Sequence, residues 1–188
     1  WLNMFIDKPS MATAFGLGVV SVVPAERLDR FHVFVGLMKW QMSDVDPVLY
    51  MDELFRYPTR PAPHVLAISG IDDNGSSEVV QRTHLTALGI DLAGEELGTT
   101  DTSNLLAYLH KTGTRQWPYP VSGNREVAGQ DARTAVLVRY ENTVRPDHNG
   151  HHVTFDIPGP KHQYGCLLQN LAEGRTPVIV EGVVQNGP

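Results

Sequence analysis

The chain has 188 residues, of which 41% are hydrophobic and 19% charged, with a formal net charge of −6. That length suits one domain with a sizeable core, and the composition is that of a globular protein. The acidic balance and the lack of any dense Lys/Arg cluster exclude a general nucleic-acid binder, and the single cysteine, Cys166, excludes an internal disulfide.

The sequence opens on Trp1 without a basic stretch and apolar run of the signal-peptide kind. Met11–Val23 is apolar, but it is shorter than the roughly 18 residues of a membrane span and carries two glycines. It reads as core or a buried connection. Leu28, Phe31, Val35, Met38 and Met42 recur at spacings of three and four, which predicts a helix over Arg27–Met42. Asp46 followed by Pro47 is an N-cap and N1 pair, and Val48, Met51 and Leu54 would form the buried side of the helix that it starts. The segment 27–56 therefore reads as a helical cap or as connecting helices. "YPTRPAP" (Tyr57–Pro63) ends it.

His64–Ile71 ("HVLAISGI") is short and almost continuously apolar, the pattern of a strand buried on both faces. "DDNGSS" is a turn. Glu78–Leu88 reads as a helix, with Val79, Val80, Thr83, Ala87 and Leu88 on one side and Gly89 as its stop. Strand, turn and helix of this size make one unit of a parallel α/β sheet. Ile90–Asp131 is rich in Gly, Pro, Ser and Thr and reads as an irregular excursion with one short helix at Ser103–His110. Thr134–Tyr140 is a second strand, Pro160–Glu173 a helix with Tyr164, Leu167, Leu168 and Leu171 on one face, and Val178–Val184 a terminal strand or tail.

Reacting groups in open α/β sheets collect on loops at the carboxyl ends of the strands. The two such loops carry Asp72 and Asp73, and His148, His151 and His152. An acid after one strand and a histidine after a later one follow the chain order of the last two members of a Ser…Asp…His triad. The histidine takes the serine proton, and the carboxylate fixes its tautomer and stabilises the imidazolium. The competing reading of Asp72 and Asp73 is ordinary turn chemistry. "DHNGHH" (Asp147–His152) also offers metal-ligand types, but no second segment supplies partners at zinc-like spacing, and adjacent histidines point different ways. No metal and no cofactor is expected.

"FHVFVGLMKWQMSDVDPVLYMDELF", "HVLAISGIDD", "YPVSGN", "AVLVRYE" and "NGHHVTFD" occur in an order that resembles a group of bacterial α/β-hydrolases, secreted esterases or lipases. Asp46, Pro47 and Tyr50 match a D-P-x-x-Y segment. Gly70 and Asp73 match G-x-x-D. Gly150, His151, Val153 and Phe155 match G-H-x-V-x-F. The likeness runs over roughly Leu28–Val180 and rests on the ordered set, not on any one motif. It implies that residues 1–188 are the C-terminal part of one α/β-hydrolase domain, with Asp73 as triad acid and His151 as general base. Asp72 and His152 are the neighbours that compete for those roles. It further implies a small-molecule or lipid ester as substrate and an extracellular or cell-envelope location.

The nucleophile elbow G-x-S-x-G occurs nowhere in the sequence. Ser69 precedes Gly70, but Ala67 stands where the first glycine belongs; Ser76 and Ser77 read as helix N-caps. The expectation is that the serine, the oxyanion hole and the early strands lie upstream, and that these residues alone are inactive. Trp117 and Tyr119 read either as lining of an acyl cleft or as a packed turn. A different class, a non-enzymatic α/β module used for binding, remains beside the enzyme reading.

Overall fold

The computed structural model describes residues 33–73, 75–76, 78–95, 110–145 and 149–182. The chain divides into two compact units, Trp1–Tyr50 and Met51–Pro188.

In the first unit, helix α1 (Val33–Met42) passes into a 3-10 turn, Ser43–Val45. The Ser43 hydroxyl donates to Trp40 O at 2.7 Å, and the Tyr50 hydroxyl donates to Asp44 O at 3.1 Å. A second 3-10 helix, Pro47–Leu54, runs across the boundary between the units. The Asp46–Pro47 start behaves as the sequence predicts: Asp46 Oδ1 accepts from Val48 N at 3.1 Å. The turns are tighter than an α-helix, however, and Val48, Met51 and Leu54 are only half-buried. Leu28 and Phe31 of the predicted Arg27–Met42 helix lie outside the described residues.

The second unit is built on a parallel sheet. Its strands are β1 (Val65–Gly70), β2 (Asp91–Ala93), β3 (Gln116–Trp117) and β4 (Ala135–Tyr140), in the spatial order β1-β4-β2-β3. β1 pairs with β4 from Val65↔Ala135 to Gly70↔Tyr140, and β2 flanks β4 on its other side through Asp91↔Val136 and Leu92↔Leu137. Helix α2 (Glu78–Leu88) connects β1 to β2; a short helix α3 (Val153–Asp156) and a long helix α4 (Pro158–Ala172) follow β4. The described elements are those of the α/β class.

β4 is covered on both faces, which is why "AVLVRY" carries no polar alternation. Ala135 and Leu137 pack with Phe55, Ala62, Leu85, Ile90, Leu92 and Val127 on one face. Val136 and Val138 pack with Ala93, Val121, Leu167 and Ile179 on the other. Successive side chains on a strand point to opposite faces, so one six-residue strand feeds both cores.

Two expectations need correction. The buried face of α2 is Val80, Gln81 and Leu85, whereas Val79 and Thr83 are exposed. Gln81 explains the rotation: its Oε1 accepts from the buried Ser69 hydroxyl and its Nε2 donates to Ser76 O at 2.9 Å, which draws this polar residue under the sheet. On α4 the buried face is Pro160, Gln163 and Leu167, with Tyr164, Leu168 and Leu171 exposed. Gln163 is drawn inward in the same way, accepting from the Tyr140 hydroxyl at 2.9 Å and donating to Val180 O at 2.8 Å. Val178–Val184, expected as a terminal strand or tail, is within the described residues an extended tail with a single antiparallel bridge between Ile179 and Val121. Of the predicted Ser103–His110 helix, only His110 lies inside the described residues.

The described residues of the excursion Ile90–Asp131 are more ordered than its composition suggests. They contribute β2 and β3, and the buried carboxylate of Asp91 organises them. Asp91 Oδ2 accepts from Trp117 Nε1 and Asn124 Nδ2, both at 2.9 Å, while Oδ1 accepts from Arg115 N at 3.2 Å. Asn124 stands in for a strand neighbour of β4, its Nδ2 donating to Ala135 O and its Oδ1 accepting from Ala135 N. The "PVSGN" stretch is thus a brace at the amino end of β4.

His64 sits at the amino end of β1, where its Nδ1 accepts from Thr134 N at 2.9 Å. Burial and, secondarily, the Arg133 charge push its pKa below the ordinary histidine value of 6.5. Protonation would turn that acceptor into a donor facing a donor. A histidine with a lowered folded pKa stabilises fully above its unfolded value and loses the contribution as pH falls toward the folded value. We therefore expect the thermal midpoint to decline as pH drops below 6.5. His64→Asn, which keeps an acceptor but cannot titrate, should flatten that decline in scans across the same window.

Candidate functional site

The loops after β1 and β4 leave neighbouring parallel strands at the same end, so their first residues run side by side. What brings them into contact is glycine. A Cβ on Gly70 would come closer than 3.0 Å to the carbonyl of Gly150, and one on Gly150 closer than 3.0 Å to the carbonyl of Ile71. Both partners are backbone, which cannot swing aside. Only two glycines allow this approach.

On the β1 side, Asp72 takes a left-handed conformation with φ of 56°. Asp is one of the few side-chain-bearing residues that tolerate it. Asp72 is exposed, and the following Asp73 turns inward. Asp73 Oδ1 accepts from Gly75 N at 2.6 Å and Ser76 N at 2.9 Å, an Asx-type lock on the turn leading to α2.

On the β4 side, Asn149 caps a single 3-10 turn, Gly150–His152, with its Oδ1 accepting from His151 N at 2.8 Å. Asn142 ties this loop down from the strand end: its Nδ2 donates to Asp156 Oδ2 at 2.9 Å and to Asn149 O at 3.4 Å, while its Oδ1 accepts from Arg145 N at 3.1 Å. The loop is thereby held at Asn149, before the turn, and at Asp156, after it.

The two loops deliver one side-chain pair. His151 Nδ1 lies 3.0 Å from Asp73 Oδ1, with the aspartate side chain 11% exposed and the histidine 55% exposed. The ring passes over Gly75, where a Cβ would come closer than 3.0 Å to Nδ1 and Cε1. If Nδ1 carries the proton and donates to the carboxylate, Nε2 is left as an unprotonated acceptor on the exposed side. A sheltered acid orienting an accessible imidazole can remove a proton from a group brought to it. His152 stands edge-on to His151, with ring centroids 5.4 Å apart and planes at 86°.

The structure therefore brings together Asp73 and His151 out of the residues singled out in sequence. Asp72 faces outward, and His152 is half-buried beside His151. Asp147 and His148 lie outside the described residues. Among the described residues, no group of three or more His, Cys, Asp or Glu side chains comes together in a way that could hold a metal ion. Trp117 and Tyr119 lie elsewhere, on and just after β3, with β4 and β2 between β3 and β1. Trp117 is engaged with Asp91, and the Tyr119 hydroxyl donates to Ala93 O at 3.3 Å and accepts from Gln163 Nε2 at 3.1 Å. Burial pushes the Tyr119 phenol above its ordinary pKa of 10, a tendency the Gln163 hydrogen bond opposes. Ser69 is buried within β1 and its hydroxyl is committed to Gln81.

Sequence reasoning used Gly70 and Gly150 as motif positions without their physical cause, and it missed Gly75, Asn142 and Asn149. Asn149 had one readable signal, an Asn immediately before a Gly at the mouth of a turn. Asn142 had none. No helix among the described residues is long and apolar enough to cross a membrane. Comparison with known protein families, curated proteins and solved structures gives no match to this chain.

The three glycines should respond differently to alanine. Gly70→Ala and Gly150→Ala force backbone apart and should each cost about 1–3 kcal/mol in denaturant unfolding, the range for overpacking. The atoms nearest a Cβ in Gly75→Ala belong to the exposed His151 ring, which can swing into solvent. Its unfolding midpoint should stay close to that of the parent, within about 0.5 kcal/mol.

Proposed function

We propose that Asp73 and His151 are the acid and general base of a serine-dependent hydrolase that acts on carboxylic esters. The observation that carries this reading is the 3.0 Å contact between a sheltered carboxylate and an exposed imidazole. The ordered likeness of the sequence to α/β-hydrolases points the same way. Since no G-x-S-x-G occurs in the 188 residues, the serine on this reading comes from sequence beyond them.

The chemistry follows from the two nitrogens of His151. Nδ1–H donates to Asp73, so Nε2 accepts the proton of the serine hydroxyl as its oxygen attacks the ester carbonyl. The positive charge that forms on the ring is stabilised by the adjacent carboxylate. Nε2 then returns the proton to the departing alkoxide oxygen, leaving an acyl-enzyme. Water, deprotonated by the same nitrogen, hydrolyses that acyl-enzyme and regenerates the serine. The amides of Gly75 and Ser76 hold Asp73 Oδ1 in place through this cycle.

A second reading rests on those same two amides. They make Asp73 a turn lock irrespective of catalysis, and His151 would then serve a non-enzymatic binding module as an ordinary loop residue.

Hydrolysis of a short-chain activated ester by the full-length protein separates the two readings. Turnover that falls at least about a thousandfold in His151→Ala, and by several orders of magnitude in Asp73→Asn, is the result expected of the hydrolase. A metal chelator should leave turnover unchanged. Undiminished activity in His151→Ala would remove the histidine from the mechanism, and no turnover in the parent would favour the binding module.

A further inference from the structure

The chain is acidic, with 15 Lys and Arg against 21 Asp and Glu, yet two arginines stand opposite each other at the amino end of β4. Arg125 and Arg133 form an isolated antiparallel bridge. Arg125 N donates to Arg133 O at 2.9 Å, and Arg133 N donates to Arg125 O at 2.8 Å. Two residues that exchange both backbone hydrogen bonds present their side chains on the same face. Here that face is the Phe55 and Ala62 side of the core. The Arg125 guanidinium lies over the Phe55 ring, 6.0 Å from its centroid, and Arg133 Nε donates to Ala62 O at 2.7 Å.

Like charges placed directly across a strand pair repel, and a neighbouring carboxylate ordinarily compensates. Among the described residues, neither arginine makes an ion pair. Arg125 Nε is moreover buried and has no hydrogen-bond partner among them. A buried N–H without an acceptor is costly, and in native proteins it is a sign that something completes the site. The nearby His64 supplies no negative charge: its Nδ1 is occupied by Thr134 N, and burial together with Arg133 disfavours its charged form. A guanidinium offers five donors in a planar fork that matches an oxyanion. An acceptor-rich anion on the outer nitrogens of the guanidinium would screen the repulsion between the two arginines and offset the cost of the unpaired Nε.

We infer that Arg125 and Arg133 bind an oxyanion, the phosphate or carboxylate group of a small ligand, at the amino end of β4. The site is independent of the ester-hydrolase reading. It lies about 20 Å along β4 from the Asp73–His151 pair, six residues at about 3.3 Å each.

The test is thermal unfolding of the whole chain in inorganic phosphate against sodium chloride of equal ionic strength and pH. Phosphate should raise the midpoint saturably, by roughly 5–10 °C at about a hundredfold excess over its Kd. Arg125→Met keeps a long apolar stem over Phe55 and removes the charge and the fork. It should fold, with a midpoint in chloride near that of the parent, and lose the phosphate increment. Should that variant fail to fold, Arg125→Lys retains the charge without the fork, and its phosphate Kd by calorimetry should rise about tenfold or more. Acetate in place of phosphate distinguishes the sources: an equal increment assigns the group to a carboxylate, and a lost one assigns it to a phosphate. No increment in the parent beyond that of chloride in either anion, an equal increment in parent and Arg125→Met, or an unchanged Kd in Arg125→Lys would overturn the site.

Discussion

The backbone contact between Gly70 and Gly150 is the constraint on which the functional reading depends. Two parallel strands side by side bring their exits to one edge of a sheet, but they do not bring the exits into contact. The missing side chains do. With a Cβ on either residue the loops would be held apart, and a carboxylate 78 positions away in sequence would not reach the imidazole. Gly75 extends the same logic by one step, because its bare Cα gives the His151 ring room to lie against Asp73. Three absences of a side chain thus determine one presence of a contact.

The pair so formed is unequal. Asp73 is sheltered and its Oδ1 is held by two amides, whereas His151 is more than half exposed. Rigidity on the acid side and access on the base side are what proton transfer to an outside group requires. Catalytic pairs depend on such placement more than on residue type, since aspartate and histidine are common on loops. The Asn142 and Asn149 carboxamides supply rigidity on the histidine side, where the ring itself has little packing. Each uses short polar hydrogen bonds in place of burial.

Much of this frame was legible in the sequence. β1, α2, β4 and α4 are readable because long apolar runs and helical periodicity report burial, although β1, outermost in the described sheet, is only half-buried over Val65–Ile68 and not buried on both faces as its sequence suggests. The faces of α2 and α4 were misjudged for one shared reason. Gln81 and Gln163 are polar residues pulled into the interior by hydrogen-bond partners on distant segments, and periodicity counts them as solvent-facing. β2 and β3 were hidden because they are short and because β2 carries Asp91, whose burial makes sense only once Trp117, Asn124 and Arg115 are around it. Asp73 and His151 were identifiable as candidates from chain order. That Asp73, not Asp72, turns inward depends on the left-handed backbone at Asp72, which no local residue pattern announced.

The most direct test of the account is the protonation of the two His151 ring nitrogens, read by nitrogen-15 NMR of the folded chain at neutral pH. A donor Nδ1 facing Asp73 predicts a protonated Nδ1, with a hydrogen-bonded Nδ1 proton resonance that disappears in Asp73→Ala while the fold persists. A proton on Nε2 with Nδ1 unprotonated, or a His151 spectrum indifferent to the loss of the Asp73 carboxylate, would contradict it.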